Sequence, residues 1–188
     1  ADYLFPLHIS PIKKGVLQIS EKGEVVEIFE NREAVPKDKL EIFKGVLSPG
    51  FVNTHCHLEL SHMLGQLPQK TGLPDFISKV PKQRITDIEK IKESIIEADL
   101  MMKANGIVAV GDISNTSDSF FIKQSSDIYY HTFIEVFAIN PSKAADAFKE
   151  GLETLKDCPE PNSLAPHATY SVSSVLYSKI RNHNKGEV

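Results

Sequence analysis

The spacing of apolar and polar positions changes character once along the chain. Before Pro49-Gly50 the apolar residues come in short β-type runs. Val16-Leu17-Gln18-Ile19-Ser20 and Val25-Val26-Glu27-Ile28-Phe29-Glu30 flank Glu21-Lys22-Gly23-Glu24, a pattern that predicts a hairpin. A further strand is expected within Leu40 to Leu47. After Pro49-Gly50, extended and helical patterns alternate. Phe51 to His57 predicts a strand. Thr86 and Glu89 match a capping box. Ile88, Ile91, Ile95, Ala98 and Met102 then recur at helical spacing, and Asn105-Gly106 marks the stop. Ile107 to Val110 predicts a buried strand ending at Gly111-Asp112. Asp118 to Gln124 predicts a short helix, and Ile128 to Ile139 a strand rich in aromatic and β-branched residues. Asn140-Pro141 opens a helix whose stripe is Ala144, Phe148, Leu152 and Leu155. Ser163 to His167 predicts a short strand. Ser171 or Ser173 caps a last helix carrying Val175, Leu176 and Ile180.

Strands that alternate with helices predict βαβ units and a parallel sheet. Four such units can be counted after residue 50. The expected organisation is a small β segment over residues 1–49 and an α/β segment over 50–188, with no internal repeat. The Ile/Met stripe from Ile88 to Met102 is read as core.

Composition narrows the class. With 188 residues and 41% hydrophobic content the chain has enough apolar material to fold. The balance of 21 basic against 25 acidic residues gives a net charge of −4. With no basic stripe, nucleic-acid binding is not expected. No apolar run approaches membrane-spanning length, so no membrane partner is expected either. Cys56 and Cys158 form no CxxC and no disulfide framework, which fits a reducing, cytoplasmic setting. The chain opens at Ala1 without a charged-then-apolar leader, and a trimmed start is expected.

The polar residues near the strand ends are the candidates for chemistry. They are His55 and His57, Asp112, Glu135 and His167. The C-terminal ends of strands hold the active site in (β/α) barrels and bind ligands in open α/β sheets. Period-two spacing puts His55 and His57 on one face of a strand, with Cys56 pointing away. Two neutral imidazoles so placed can clamp a divalent metal ion, or they can be ordinary edge histidines. Asp112 and Glu135 read either as ligand contacts or as a turn residue and an internal charge. Glu59 reads as a site carboxylate or a solvated one. His62 lies beyond the strand end and can line a site or face water. His8, His131 and His183 read as surface or internally satisfied residues. Residue type alone makes His167 a possible third metal ligand.

The stretch Pro49-Gly50-Phe51-Val52-Asn53-Thr54-His55-Cys56-His57 resembles the first barrel strand of the amidohydrolase superfamily, in its chlorohydrolase and aromatic deaminase branch. Leu164 to Leu176, LAPHATYSVSSVL, resembles the fourth-strand segment of the same family. Leu7 to Leu47 is similar to the small β-sandwich that precedes the barrel there. The resemblance implies metal ligation by His55 and His57, with zinc the expected ion and iron an alternative. It implies that His167 contacts the substrate rather than the metal. The HLELS continuation and Val110 to Asn115, VGDISN, resemble the aminodeoxyfutalosine deaminase group, which makes Glu59 a candidate substrate contact.

The expected fold is therefore α/β, the first half of a (β/α)8 TIM-type metal-dependent hydrolase barrel preceded by a small β-sandwich segment. The family's remaining metal and acid/base residues lie on later strands. No His-x-x-Glu follows His167, and a full barrel takes about 250 residues. The chain is accordingly read as an N-terminal fragment that carries no catalytic residue of its own. The whole enzyme is expected to deaminate or dechlorinate a small heterocyclic substrate with a metal-activated water. The fragment is expected to bind metal weakly, to be inactive, and to form homo-oligomers or self-associate through uncovered sheet edges. Two alternatives remain. One is a non-catalytic half-barrel scaffold or pseudoenzyme. The other is a small metal-binding protein that uses His55, His57 and His167 together.

Overall fold

The computed structural model describes residues 1–68, 70 and 72–185. The chain divides into two compact units, residues 1–50 and 51–188. The first unit has β1 (Tyr3–Leu4), β2 (Ile12–Lys13), β3 (Val16–Ile19), β4 (Val25–Phe29) and β5 (Val46–Leu47). β3 and β4 pair antiparallel as the expected hairpin. β1 pairs antiparallel with β2 and parallel with β5. The strand expected from Leu40 reduces to Val46–Leu47, the part that meets β1. A strand needs a partner for its backbone groups, and apolar side chains such as Ile42 and Phe43 stay exposed without one.

The second unit is a four-stranded parallel sheet in the order β6 (Phe51–Cys56), β7 (Ile107–Ser114), β8 (Tyr129–Val136), β9 (Asn162–Pro166). The connections carry α1 (Leu73–Gln83), α2 (Ile88–Ala104), α3 (Phe120–Lys123) and α4 (Ala144–Lys156), and α5 (Ser174–Asn184) follows β9. The alternation read from the sequence is therefore the alternation observed, with α1 added between β6 and α2. Among the described residues no helix is long and apolar enough to cross a membrane.

Several boundaries differ from expectation, each for a local reason. α2 is capped by Asp87, whose carboxylate accepts from the Glu89 N–H at 3.0 Å. The Thr86–Glu89 box does not form, because the helix starts one residue later than a Thr86 cap requires. α1 had no sequence expectation. Pro81 reads as a breaker, yet it sits near the helix end, while a second proline occupies the first turn, where its missing N–H costs little. β7 runs to Ser114 rather than stopping at Gly111-Asp112, since a salt bridge to Lys123 lets Asp112 stay in a buried strand. β8 stops at Val136, with Ala138 forming a lone bridge to Val172. Asn140-Pro141 opens its helix through a single 3₁₀ turn, Pro141–Lys143. Ser173, not Ser171, caps α5.

One face of the sheet is covered by helices. Leu58, Ile91, Ile95, Met102, Val110, Ile128 and Tyr130 form one buried cluster. Ile134, Val136, Leu164, Ala144, Leu176 and Ile180 belong to a second cluster under α4 and α5. Residues alternate as a pleated strand requires, so Ile113, His131, Phe133 and Glu135 point to the other, half-exposed face.

Gly151 fixes how closely α4 approaches. A Cβ there would lie 2.6 Å from Val136 Cγ2 and 3.3 Å from Leu164 Cδ2. Helix propensity alone favours alanine over glycine by about 0.5–1 kcal/mol. Overpacking against a stiff β-branched neighbour acts the other way, and Gly151→Ala is expected to cost about 1–3 kcal/mol. Urea midpoints check this, and a more stable alanine variant would sink it.

Tyr130 ties β8 to α2. Its hydroxyl donates to Asp99 Oδ1 at 2.6 Å, and Ser126 Oγ donates to the same oxygen at 2.8 Å. Burial first, then the hydrogen bond to Asp99, push the Tyr130 phenol above its ordinary value of 10. The fold favours the neutral phenol, so this contribution is intact below the unfolded value and is lost as pH rises past about 10. Stability should fall over that range, and Tyr130→Phe should flatten the fall. Equal pH slopes of the urea midpoint in the two proteins would count against it.

Candidate metal and substrate site

The candidate residues gather at the C-terminal ends of the parallel strands. β6 carries an irregularity there. Its interval from Asn53 to Cys56 faces only Val110 to Asp112 on β7, so one extra residue is accommodated. Gly111 makes room for this. A Cβ at that position would stand 3.0 Å from the Thr54 carbonyl oxygen and 3.2 Å from Phe133 Cε2.

His55 and His57 emerge from this strand end on one side. Their ring centroids are 5.2 Å apart at an interplanar angle of 68°. His55 is exposed and His57 half-buried. Nδ1 of His57 is buried without a hydrogen-bond partner, a costly state for a ring nitrogen that has nothing to bind. Cys56 turns the other way and packs with the core under α2. Burial and the nearby Asp112 carboxylate push its thiol up to about 12.

Two paired imidazoles with one unclaimed buried nitrogen suit zinc or a similar ion in ligand chemistry. They make up part of a donor set. Among the described residues no group of three His, Cys, Asp or Glu side chains is arranged to hold a metal ion. The arrangement of His55, His57 and His167 around one ion is thus not formed. His167 Nδ1 instead meets Ser171 Oγ at 2.5 Å. Its exposed ring has two exposed aromatic neighbours, with centroids 6.2 Å away at Phe137 and 5.7 Å away at Tyr170.

The carboxylates behave differently from one another. Glu59 is 1% exposed. It pairs with Arg84, accepts from the Asn115 and Thr116 N–H groups, and accepts from Thr116 Oγ1 at 2.8 Å. It therefore binds the segment after β6 to the segment after β7. Asn115 continues the chain of contacts, its Nδ2 donating to Glu135 Oε2 at 3.2 Å. Glu135 is half-buried and lines a cleft of about 310 Å³ together with Arg84, Asn115, Thr116, Phe137 and the α4 residues Glu150 and Thr154, a cleft that His55, His57 and His167 do not line. Asp112 is fully buried, with Lys123 Nζ 2.6 Å from Oδ2. His62, read from sequence as lining a site or facing water, is 5% exposed with Nε2 at 3.2 Å from the Arg84 carbonyl oxygen.

Sequence reading missed Arg84, Asn115, Thr116 and Lys123. Only Lys123 left a signal, a lysine set among Phe120, Phe121 and Ile122 where a solvated cation is out of place.

No protein-family model matches the sequence, and no curated protein does. Solved structures do match. The Helicobacter pylori aminofutalosine deaminase, in complex with methylthio-coformycin, superposes with a TM-score of 0.77 at 21% identity. The match covers 99% of this chain and 47% of that one. This chain has the fold of the N-terminal half of that deaminase. A guanine deaminase from C. acetobutylicum with bound guanine matches at TM-score 0.71 and 13% identity, over 98% of this chain and 49% of the other. An atrazine chlorohydrolase from Arthrobacter aurescens TC1 complexed with zinc matches at 0.70 and 12%, over the same 98% and 49%. These neighbours are deaminases and chlorohydrolases of the amidohydrolase family that the two motifs resemble. The chain spans about half their length.

Proposed function

We propose that this chain is the N-terminal part of a metal-dependent amidohydrolase that hydrolytically deaminates an amino-heterocycle, built as the first half of a (β/α)8 barrel behind a small β-sandwich. The observation that carries this is the His55–His57 pair at the end of the first parallel strand, with the buried Nδ1 of His57 unclaimed. Zinc in a neighbour of the same fold supports the choice of ion. His55 and His57 would hold it. A bound ion would supply an activated water for hydrolysis of the ring carbon–nitrogen bond.

The chain's own residues handle the substrate. His167 offers an exposed imidazole flanked by Phe137 and Tyr170, which present ring edges and faces to a planar heterocycle. Ser171 holds the His167 ring in orientation. Glu135, half-buried and bonded to Asn115 at 3.2 Å, is a further candidate substrate contact. Glu59 and Asp112 are enclosed by protein partners and act by holding the loops that carry the site.

Two imidazoles fall short of the roughly three protein ligands a catalytic zinc takes. The 188-residue chain alone should therefore release no ammonia from aminopurine substrates, while the full reading frame should. Deamination by the chain alone would overturn the assignment of the remaining ligands to a second half. Absence of deamination by the full reading frame across a panel of aminopurines and aminotriazines would overturn the reaction.

A further inference from the structure

Asp112 and Lys123 form an ion pair whose side chains are 0% and 1% exposed. A buried pair of this kind is weak evidence for stability, since apolar residues of like volume often serve as well. Its placement is more specific. His57 occupies the cap position of the 3₁₀ segment Leu58–Met63, yet its side chain makes no capping hydrogen bond. The first N–H of that segment, on Leu58, is instead met by Asp112 Oδ1 from the neighbouring strand at 2.8 Å. Asp112 thus holds the residue that directly follows His57. Its other oxygen accepts from Ser114 Oγ at 3.1 Å and lies 2.6 Å from Lys123 Nζ.

We infer that Asp112, held by Lys123, is a positioning residue for His57. It does the capping that a residue in the His57 position ordinarily does, which leaves the imidazole free for metal. Lys123, itself fixed by Ser114 Oγ at 3.1 Å and packed against the Phe120 and Tyr130 rings, keeps the carboxylate aimed. The inference rests on the reading of His55 and His57 as metal ligands, and the test separates the two.

Zn²⁺ affinity is measured on the 188-residue chain by NMR titration, with the His57 imidazole nitrogens followed directly and those of His131 and His183 as internal controls. Two double variants remove the ion pair. Asp112→Asn with Lys123→Met keeps an acceptor for the Leu58 N–H. Asp112→Leu with Lys123→Met does not. The asparagine pair should bind zinc within a factor of about two of the parent, and the leucine pair about 10–100-fold more weakly, the usual cost of losing an outer partner of a metal ligand. His57 signals alone should shift and broaden in the leucine pair before metal is added. If the leucine pair does not fold, Asp112→Ala with Lys123→Met removes the acceptor with less bulk and is read the same way. Parental affinity in the folded acceptor-less variant overturns the inference, as does an equal loss in the asparagine pair. Unchanged zinc binding in His55→Ala and His57→Ala overturns the ligand reading instead.

Discussion

Alanine at both His55 and His57, introduced into the full reading frame, is expected to lower ammonia release by more than about 10³-fold, well beyond the 10–100-fold typical of outer-shell changes. The magnitude follows from what the ion does. Bulk water has a pKa of about 15.7, and a metal brings it to about 7, so losing the ion removes nearly all of the nucleophile at neutral pH. Structure should survive the change. His55 is exposed, and His57 has a buried nitrogen that no protein group depends on. The checks are kcat, metal content and the thermal midpoint, taken together. A variant that keeps a tenth of the activity, or that loses activity with its metal still bound, would remove the pair from the site.

Lys123→Met alone carries the largest expected effect on stability. It leaves the Asp112 carboxylate, 0% exposed, with no cation beside it. Breaking a buried pair from one side costs about 3–5 kcal/mol. That is a large share of the roughly 5–15 kcal/mol by which a domain is stable. Adding Asp112→Asn should restore most of the loss, because the neutral amide needs no counter-charge and still accepts from Leu58. Urea midpoints of parent, single and double variants give the answer. A single variant within about 1 kcal/mol of the parent would mean that water reaches the carboxylate, against its burial.

The sequence made the order of elements legible because each covered strand of the sheet is a short run of apolar and β-branched residues between turn signals. Val16–Ile19 and Val25–Phe29 paired as their Gly-containing turn predicts. The parallel sheet followed from the alternation. Precision was lost at the ends. Thr86 and Asp87 are both good caps, and one residue of difference in where the helix starts decides between them. The strand from Leu40 was only partly right because propensity says nothing about whether a partner strand is near.

The candidate site divides the same way. His55 and His57 could be named from period two alone, since a strand end gives both rings the same direction whatever surrounds them. The roles of the carboxylates could not. Glu59 and Asp112 look alike in sequence, as acids near strand ends. Only tertiary contact brought Arg84, Asn115 and Thr116 around one and Lys123 and Leu58 around the other. His167 was placed near the pocket by sequence, but its Ser171 contact and its two aromatic neighbours depend on the turn after β9.

By itself, then, the sequence determined the β3–β4 hairpin, the alternation of β6 to β9 with α2 to α5, and the pair of imidazoles aimed from one strand end. These follow from periodicities carried by neighbouring residues. The tertiary structure alone decided which acids are sealed into the scaffold and which face the cleft, because that depends on residues up to 57 positions apart. A carboxylate's task is set by the cation or N–H group that meets it, and no local pattern specifies that partner.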